Sequence, residues 1–93
     1  MKKIFKYTIP VGNTVIVEMP EGAEILSVGN QSEEIQAWAM VNNSPNVDME
    51  SRKFRVFGTV HELPDDTSEL LFLGTVLLFD RRVAFHVFED LSD

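Results

Sequence analysis

The sequence predicts an all-β fold, a small antiparallel sandwich or partly open barrel of about six or seven strands. Three observations carry that reading. Short apolar runs alternate with a period of two, clusters of Gly, Pro, Asn and Asp separate them, and no segment shows the spacing of an amphipathic helix. The 93 residues fit one domain spanning 1–93, and a 44% hydrophobic content is enough for a core.

Lys3–Ile9 is the first strand, with Phe5, Tyr7 and Ile9 on one face and Lys6 and Thr8 on the other. Pro10 and Gly12-Asn13 end it. Thr14–Met19 follows, with Val15, Val17 and Met19 opposite Ile16 and Glu18. Pro20-Glu21-Gly22 is a turn, because proline sets φ and glycine accepts positive φ. Glu24–Val28 is a short strand, and Gly29-Asn30 with Gln31-Ser32 reads as a hairpin tip. Ile35–Val41 sets Ile35, Ala37, Ala39 and Val41 against Gln36, Trp38 and Met40. Asn42–Asp48 is the most polar stretch and reads as a surface loop.

In the second half, Arg52–Val60 points Phe54, Val56 and Val60 inward and Lys53 and Arg55 outward. Glu62–Glu69 reads as a plain loop, although Asp66 and Glu69 have the spacing of a helix cap. Leu70–Phe79 is apolar on both faces, which predicts a central, doubly covered strand or one buried by a second subunit. Asp80-Arg81 turns the chain. Arg82–Phe88 then returns with Val83, Phe85 and Val87 opposite Ala84, His86 and Phe88. Glu89–Asp93, with three acids, is expected to fray. The step Phe57-Gly58-Thr59-Val60 echoes Leu73-Gly74-Thr75-Val76, which strand geometry alone would explain.

Fifteen acidic against eight basic residues give a net charge of −7. A generic DNA or RNA binder needs a basic face to displace counterions, so direct nucleic-acid binding is not expected. The charge leaves two readings: plain solubility, or attraction to a basic partner, including by imitation of nucleic acid. The absence of cysteine excludes disulfides and thiolate metal sites. No apolar run approaches the roughly 20 residues of a membrane helix, and none follows the basic start as a signal peptide would. A cytoplasmic location is therefore expected.

Few residues carry recognisable chemistry. His61 opens an acidic loop with Glu62, Asp65 and Asp66, but an H-E-x-x-H zinc pattern fails because position 65 is Asp. His86 lies in a strand, where a histidine is ordinarily a hydrogen-bonded sheet residue. There is no G-x-S-x-G and no S-x-x-K, and neither Gly58-Thr59 nor Gly74-Thr75 opens a helix or precedes the lysine of a phosphate loop. No catalytic residue, metal or cofactor is expected. The binding candidates are Trp38, half-exposed beside flexible Met40 if the Ile35–Val41 face covers the core, and His61, Arg55, Asp65 and Asp66.

Several segments in order form a recognisable set: Glu18-Met19-Pro20 with Gly22-Ala23, Ile25-Leu26 with Val28 and Gln31, and Trp38-Ala39 with Val41. Gly58-Thr59 with His61, Gly74-Thr75 and His86-Val87-Phe88-Glu89 complete it. Together they resemble a family of small uncharacterised proteins encoded mainly by bacteriophages and prophages. Members often read Gly-Thr-Gly-His where this chain has Gly58-Thr59-Val60-His61, and often have a shorter turn near Asp80-Arg81. The resemblance implies a phage accessory protein acting in the cytoplasm of a bacterial host. It transfers no activity.

The expected function is a non-enzymatic binding protein that inhibits or sequesters a host or defence protein and self-associates as a dimer or ring through Leu70–Phe79. Two alternatives stay open. One is a small-ligand or nucleotide binder using Trp38, the Gly58–His61 segment and an oligomer interface. The other is an accessory structural role in the virion. An electrostatic inhibitor should cluster its acids on one face, whereas a ligand binder should show a pocket lined by Trp38 or His61 with an arginine nearby.

Overall fold

The period-two alternation resolves into seven strands and no helix in a computed structural model that describes residues 1–93. In chain order they are β1 (Lys2–Thr8), β2 (Val15–Pro20), β3 (Glu24–Gln31), β4 (Glu34–Asn42), β5 (Met49–Gly58), β6 (Leu70–Leu78) and β7 (Val83–Asp90). They form two antiparallel sheets, one ordered β1-β4-β3 and the other β2-β5-β7-β6. The fold is an open all-β sandwich. With no helix present, none is long and apolar enough to cross a membrane.

The core is the meeting of the two inward phases. Ile35, Ala37, Ala39 and Val41 of β4 are buried, and Met19, Phe54, Val56, Val76 and Val87 are buried from the other sheet. Moving each of the larger side chains out of water stabilises the fold by about 2 kcal/mol. Short Ala37 and Ala39 in the middle strand leave volume for large Phe54 and Met19, the small-against-large pattern that close packing requires.

One margin of the sandwich is closed by side chains. Asn30 donates to the Leu77 carbonyl at 3.0 Å, which ties β3 to β6. A Cβ on Gly74 would stand 2.8 Å from Val28 Cγ2, so only glycine lets β6 approach β3 this closely.

Several expectations are corrected by the tertiary structure. Gly29 and Asn30 lie inside β3, and the hairpin tip falls later, at Ser32 and Glu33, whose φ angles of 57° and 61° mark a type I′ turn. Leu70–Phe79 is not a central strand. β6 is an edge of its sheet beside β3, its inward Val76 and Leu78 buried by the chain's own core and its outward Phe72 and Leu77 exposed. Phe79 leaves the strand and joins Asp80 and Arg81 in a left-handed run with φ of 54°, 57° and 67°. Left-handed backbone costs roughly 1–2 kcal/mol per residue. The run is held by Arg82 N–H donating to the Leu78 carbonyl at 3.1 Å and Phe79 N–H donating to Glu33 Oε2 at 2.7 Å.

The C-terminus also departs from expectation, because β7 continues to Asp90 and Glu89 is only 5% exposed. Arg52 explains this. Its Nε and Nη2 donate to the two Glu89 oxygens at 2.5 and 3.0 Å, and its Nη1 donates to the Ala23 carbonyl at 2.8 Å. A bidentate fork repays much of the desolvation that burying a carboxylate costs. Its hydrogen bond with Glu89 holds the Arg52 guanidinium protonated beyond its ordinary range.

Candidate functional site

The outward face of the four-stranded sheet carries the most apolar open cleft. β7 lies between β5 and β6, so the register sets Phe57 and Thr75 on either side of His86, and Arg55 and Phe72 on either side of Phe88. The phenyl rings pack on one another. Phe57 meets Phe88 edge-on at 5.7 Å between centroids, and Phe72 meets Phe88 at 5.2 Å. The segment leaving β5 folds over this face, and Val60, His61 and Leu63 complete a cleft of about 270 Å³ with Phe57, Phe72 and Phe88.

The wall made by Gly58-Thr59-Val60-His61 is a tight turn. His61 N–H donates to the Gly58 carbonyl at 3.1 Å, and Gly58 N–H donates back to His61 Nδ1 at 3.1 Å. Val60 has φ 65° while Thr59 does not have positive φ, the signature of a type II turn, whose third position favours glycine. Val60 therefore occupies a conformation that glycine adopts most readily. A β-branched residue there is strained, and its side chain is 96% exposed, so no burial compensates. The His61 ring packs where a Cβ on Gly58 would stand 2.9 Å away.

Both histidines are held by named partners. His86 Nε2 lies 2.9 Å from Thr59 Oγ1, and Nδ1 lies 3.0 Å from Thr75 Oγ1. A neutral imidazole needs one donor and one acceptor, and the two rotatable hydroxyls supply them. The echoed Gly-Thr steps thus serve one histidine, one on each ring nitrogen. His61 accepts at Nδ1, which leaves Nε2–H as its donor at the cleft mouth.

The group orienting His86 opposite Thr59 is the Thr75 hydroxyl, not a carboxylate, so the Thr59 hydroxyl gains no strong base. No three His, Asp or Glu side chains converge to hold a metal ion. What the cleft offers is an apolar floor, one N–H donor and an acidic loop leading away from it.

The predicted binding residues fall in different places. His61 lines the cleft. Arg55 lies beside it, its guanidinium 5.1 Å from the Phe57 ring centroid and its Nε donating to the Asn13 carbonyl at 2.8 Å. Asp65 and Asp66 are exposed on the β5–β6 connection, where Ser68 hydrogen bonds hold the Asp66 carboxyl below the usual aspartate range. Trp38 is not part of this group. It is half-buried on the outward face of the other sheet, across the core from His61. Phe57, Phe72, Phe88, Thr59 and Thr75 were missed, although the outward phase of His86 and Phe88 was visible in the alternation.

A second, wider dish of about 410 Å³ is lined by Glu33, Phe79, Asp80 and Arg82. Three of its four walls are charged, so it offers little surface that water would gain by leaving. The apolar cleft is the better candidate.

No curated protein and no solved structure matches the chain. A family model covers all of it, residues 1–93, and on that match the chain belongs to the family described as Domain of unknown function (DUF7352).

Proposed function

We propose that the protein is a non-enzymatic binding module whose cleft takes an aromatic or aliphatic side chain from a partner protein with basic residues beside it. The observation that carries this reading is the exposed aromatic floor. Phe72 is 55% exposed next to Phe88 in an apolar cleft, and the wall at His61 and Leu63 runs on into the acidic Glu62–Glu69 connection. An apolar anchor desolvated in such a cleft supplies affinity, and the acidic border steers a basic partner and sets its orientation. The likeness of the sequence to small phage proteins gives the context: the partner is a host or defence protein in the bacterial cytoplasm.

The nucleotide-binding alternative is weaker on the same geometry. Its phosphates would approach a chain of net charge −7, and Arg55 beside the cleft is already tied to Asn13 and the Phe57 ring. Phosphate recognition needs free cationic or N–H donors.

The test uses a short peptide with one phenylalanine flanked by arginines, titrated while backbone amide resonances are followed. Shifts should concentrate on Phe57 to His61, Phe72 and Phe88, and Phe72→Ala should abolish them. Shifts confined to the Trp38 face, or none up to about 1 mM peptide, would sink the proposal.

A further inference from the structure

We infer that the unclosed margin of the sandwich joins a second copy of this chain, with β1 of each copy pairing to β2 of the other. The inference is independent of the cleft. Because β3 and β6 lie against each other, the remaining sheet edges, β1 and β2, both fall on the opposite margin. Each pairs with a strand on one side only, and most of β1 is exposed. Phe5 belongs to the inward phase through its pairing with Ala39, yet it is 38% exposed. An inward aromatic left open to water marks a sandwich that is incomplete as a single chain.

The strand directions select the arrangement. β1 is antiparallel to β4, the chain crosses to the other sheet at the end of β4, and β2 is antiparallel to β5. β1 and β2 therefore run in opposite directions. A two-fold axis along the strands keeps those directions and brings each three-stranded sheet into line with the partner's four-stranded sheet. β1 then meets the partner's β2 antiparallel, twice, and two continuous seven-stranded sheets result.

Charge and shape agree with that pairing. β1 carries Lys2, Lys3 and Lys6 and no acid, whereas the edge formed by β2 and its following turn carries Glu18 and Glu21 and no base. Lys2 pairs with Asn42 at the end of β4, and Glu18 with Ser51 near the start of β5, so the opposite charges sit at the same end of the sandwich. Lys6 is already bonded to Gln31, and Glu18 accepts one hydrogen bond from Ser51 Oγ. Lys2, on the same outward phase as Glu18, is therefore the nearest free cation for it, with Lys3 adding positive charge to the edge. Ile4 and Ile16, 60% and 53% exposed, both point outward and would cover each other. The other two-fold choice sets β1 against β1 and crowds six lysines into two strands, which like-charge repulsion disfavours.

The test is the solution mass of the untagged full chain by light scattering, with melting curves to confirm that each variant folds. The wild type should be a dimer. Lys2→Glu with Lys3→Glu, and separately Glu18→Lys with Glu21→Lys, should each weaken the dimer by about tenfold or more. An equal mixture of the two variants should restore it, because both of its β1–β2 contacts then pair opposite charges. Should a variant fail to fold, hydrogen exchange on the wild type decides: the β1 amides that do not bond β4 should gain protection with concentration. A monomer up to about 1 mM, or charge variants that stay dimeric alone, overturns the inference. So does a tighter dimer from the lysine variant, which would indicate β1 on β1.

Discussion

The two outward faces of the sandwich are both aromatic, yet one is closed and the other open. On the three-stranded sheet, Trp38 lies against Gly29, a Cβ on which would sit 3.4 Å from the indole. Gln36 beside it is buried, its Oε1 accepting from Thr8 Oγ1 at 2.9 Å, and Lys6 donates to Gln31 at 2.6 Å. Around Trp38 the polar side chains are bonded to one another and leave no apolar cleft beside the indole. On the four-stranded sheet, the polar groups are drawn inward to His86, and the phenyl rings of Phe72 and Phe88 stand beside an uncovered cleft. Aromatic content therefore does not locate the binding face; what decides is whether neighbouring groups already cover the ring.

Trp38→Ala sets the two faces furthest apart. It should cost about 2–3 kcal/mol in urea unfolding, through the void left over Gly29, while binding of the arginine–phenylalanine peptide is unchanged. The reverse outcome, intact stability with binding lost, would move the site to the Trp38 face. Phe72→Ala is the mirror experiment. Stability should fall by no more than about 1 kcal/mol, because the ring is exposed, while the peptide-induced shifts are lost.

Val60→Gly sharpens the contrast from the backbone side. Relieving a β-branched residue of left-handed φ should raise stability by about 1 kcal/mol, read as a melting temperature several degrees higher. No increase would mean that the turn relaxes away from φ 65° in solution. Reversing Asp65 and Asp66 together to lysine tests the border of the cleft. Stability should change by less than about 0.5 kcal/mol, while peptide binding weakens and loses its salt dependence. Unaltered binding in low salt would remove the loop from the site.

The smallest effect concerns pH. Hydrogen bonds from Ser68 and Ser92 hold the Asp66 and Asp90 carboxyls below the usual aspartate range. A carboxyl with a lowered folded pKa adds stability above its unfolded pKa and loses it as pH falls through the folded value. Both groups are exposed, so the slope they add is slight. Asp66→Asn with Asp90→Asn should flatten the acid limb of stability below the aspartate range. An unchanged limb would mean that these turns are not formed in solution.

Much of the fold was legible because alternation is a local property. The inward phase of Ile35, Ala37, Ala39 and Val41 could be read from four positions, and so could the outward phase of His86 and Phe88. The candidate site was legible only in part. His61 was found, since a histidine between a Gly-Thr step and an acidic loop is conspicuous, but the aromatic floor was passed over because three phenylalanines on three strands share no local spacing.

The sequence by itself determined which segments are strands and which side chains of each share a face, because a pleat places alternate residues on opposite sides whatever lies beyond it. Tertiary structure alone decided which faces meet. Placing β7 between β5 and β6 put Thr59 and Thr75 on the two nitrogens of His86, and turned a repeated Gly-Thr step into one hydrogen-bonded unit. The same order set Glu89 beside Arg52, 37 residues earlier, so a carboxylate expected in a frayed tail is buried in an ion pair. The closing geometry of the turns drove Val60 and Phe79 into left-handed backbone that their own preferences oppose. Strand order, long-range ion pairs and turn strain depend on residues distant in the chain, and no local pattern encodes them.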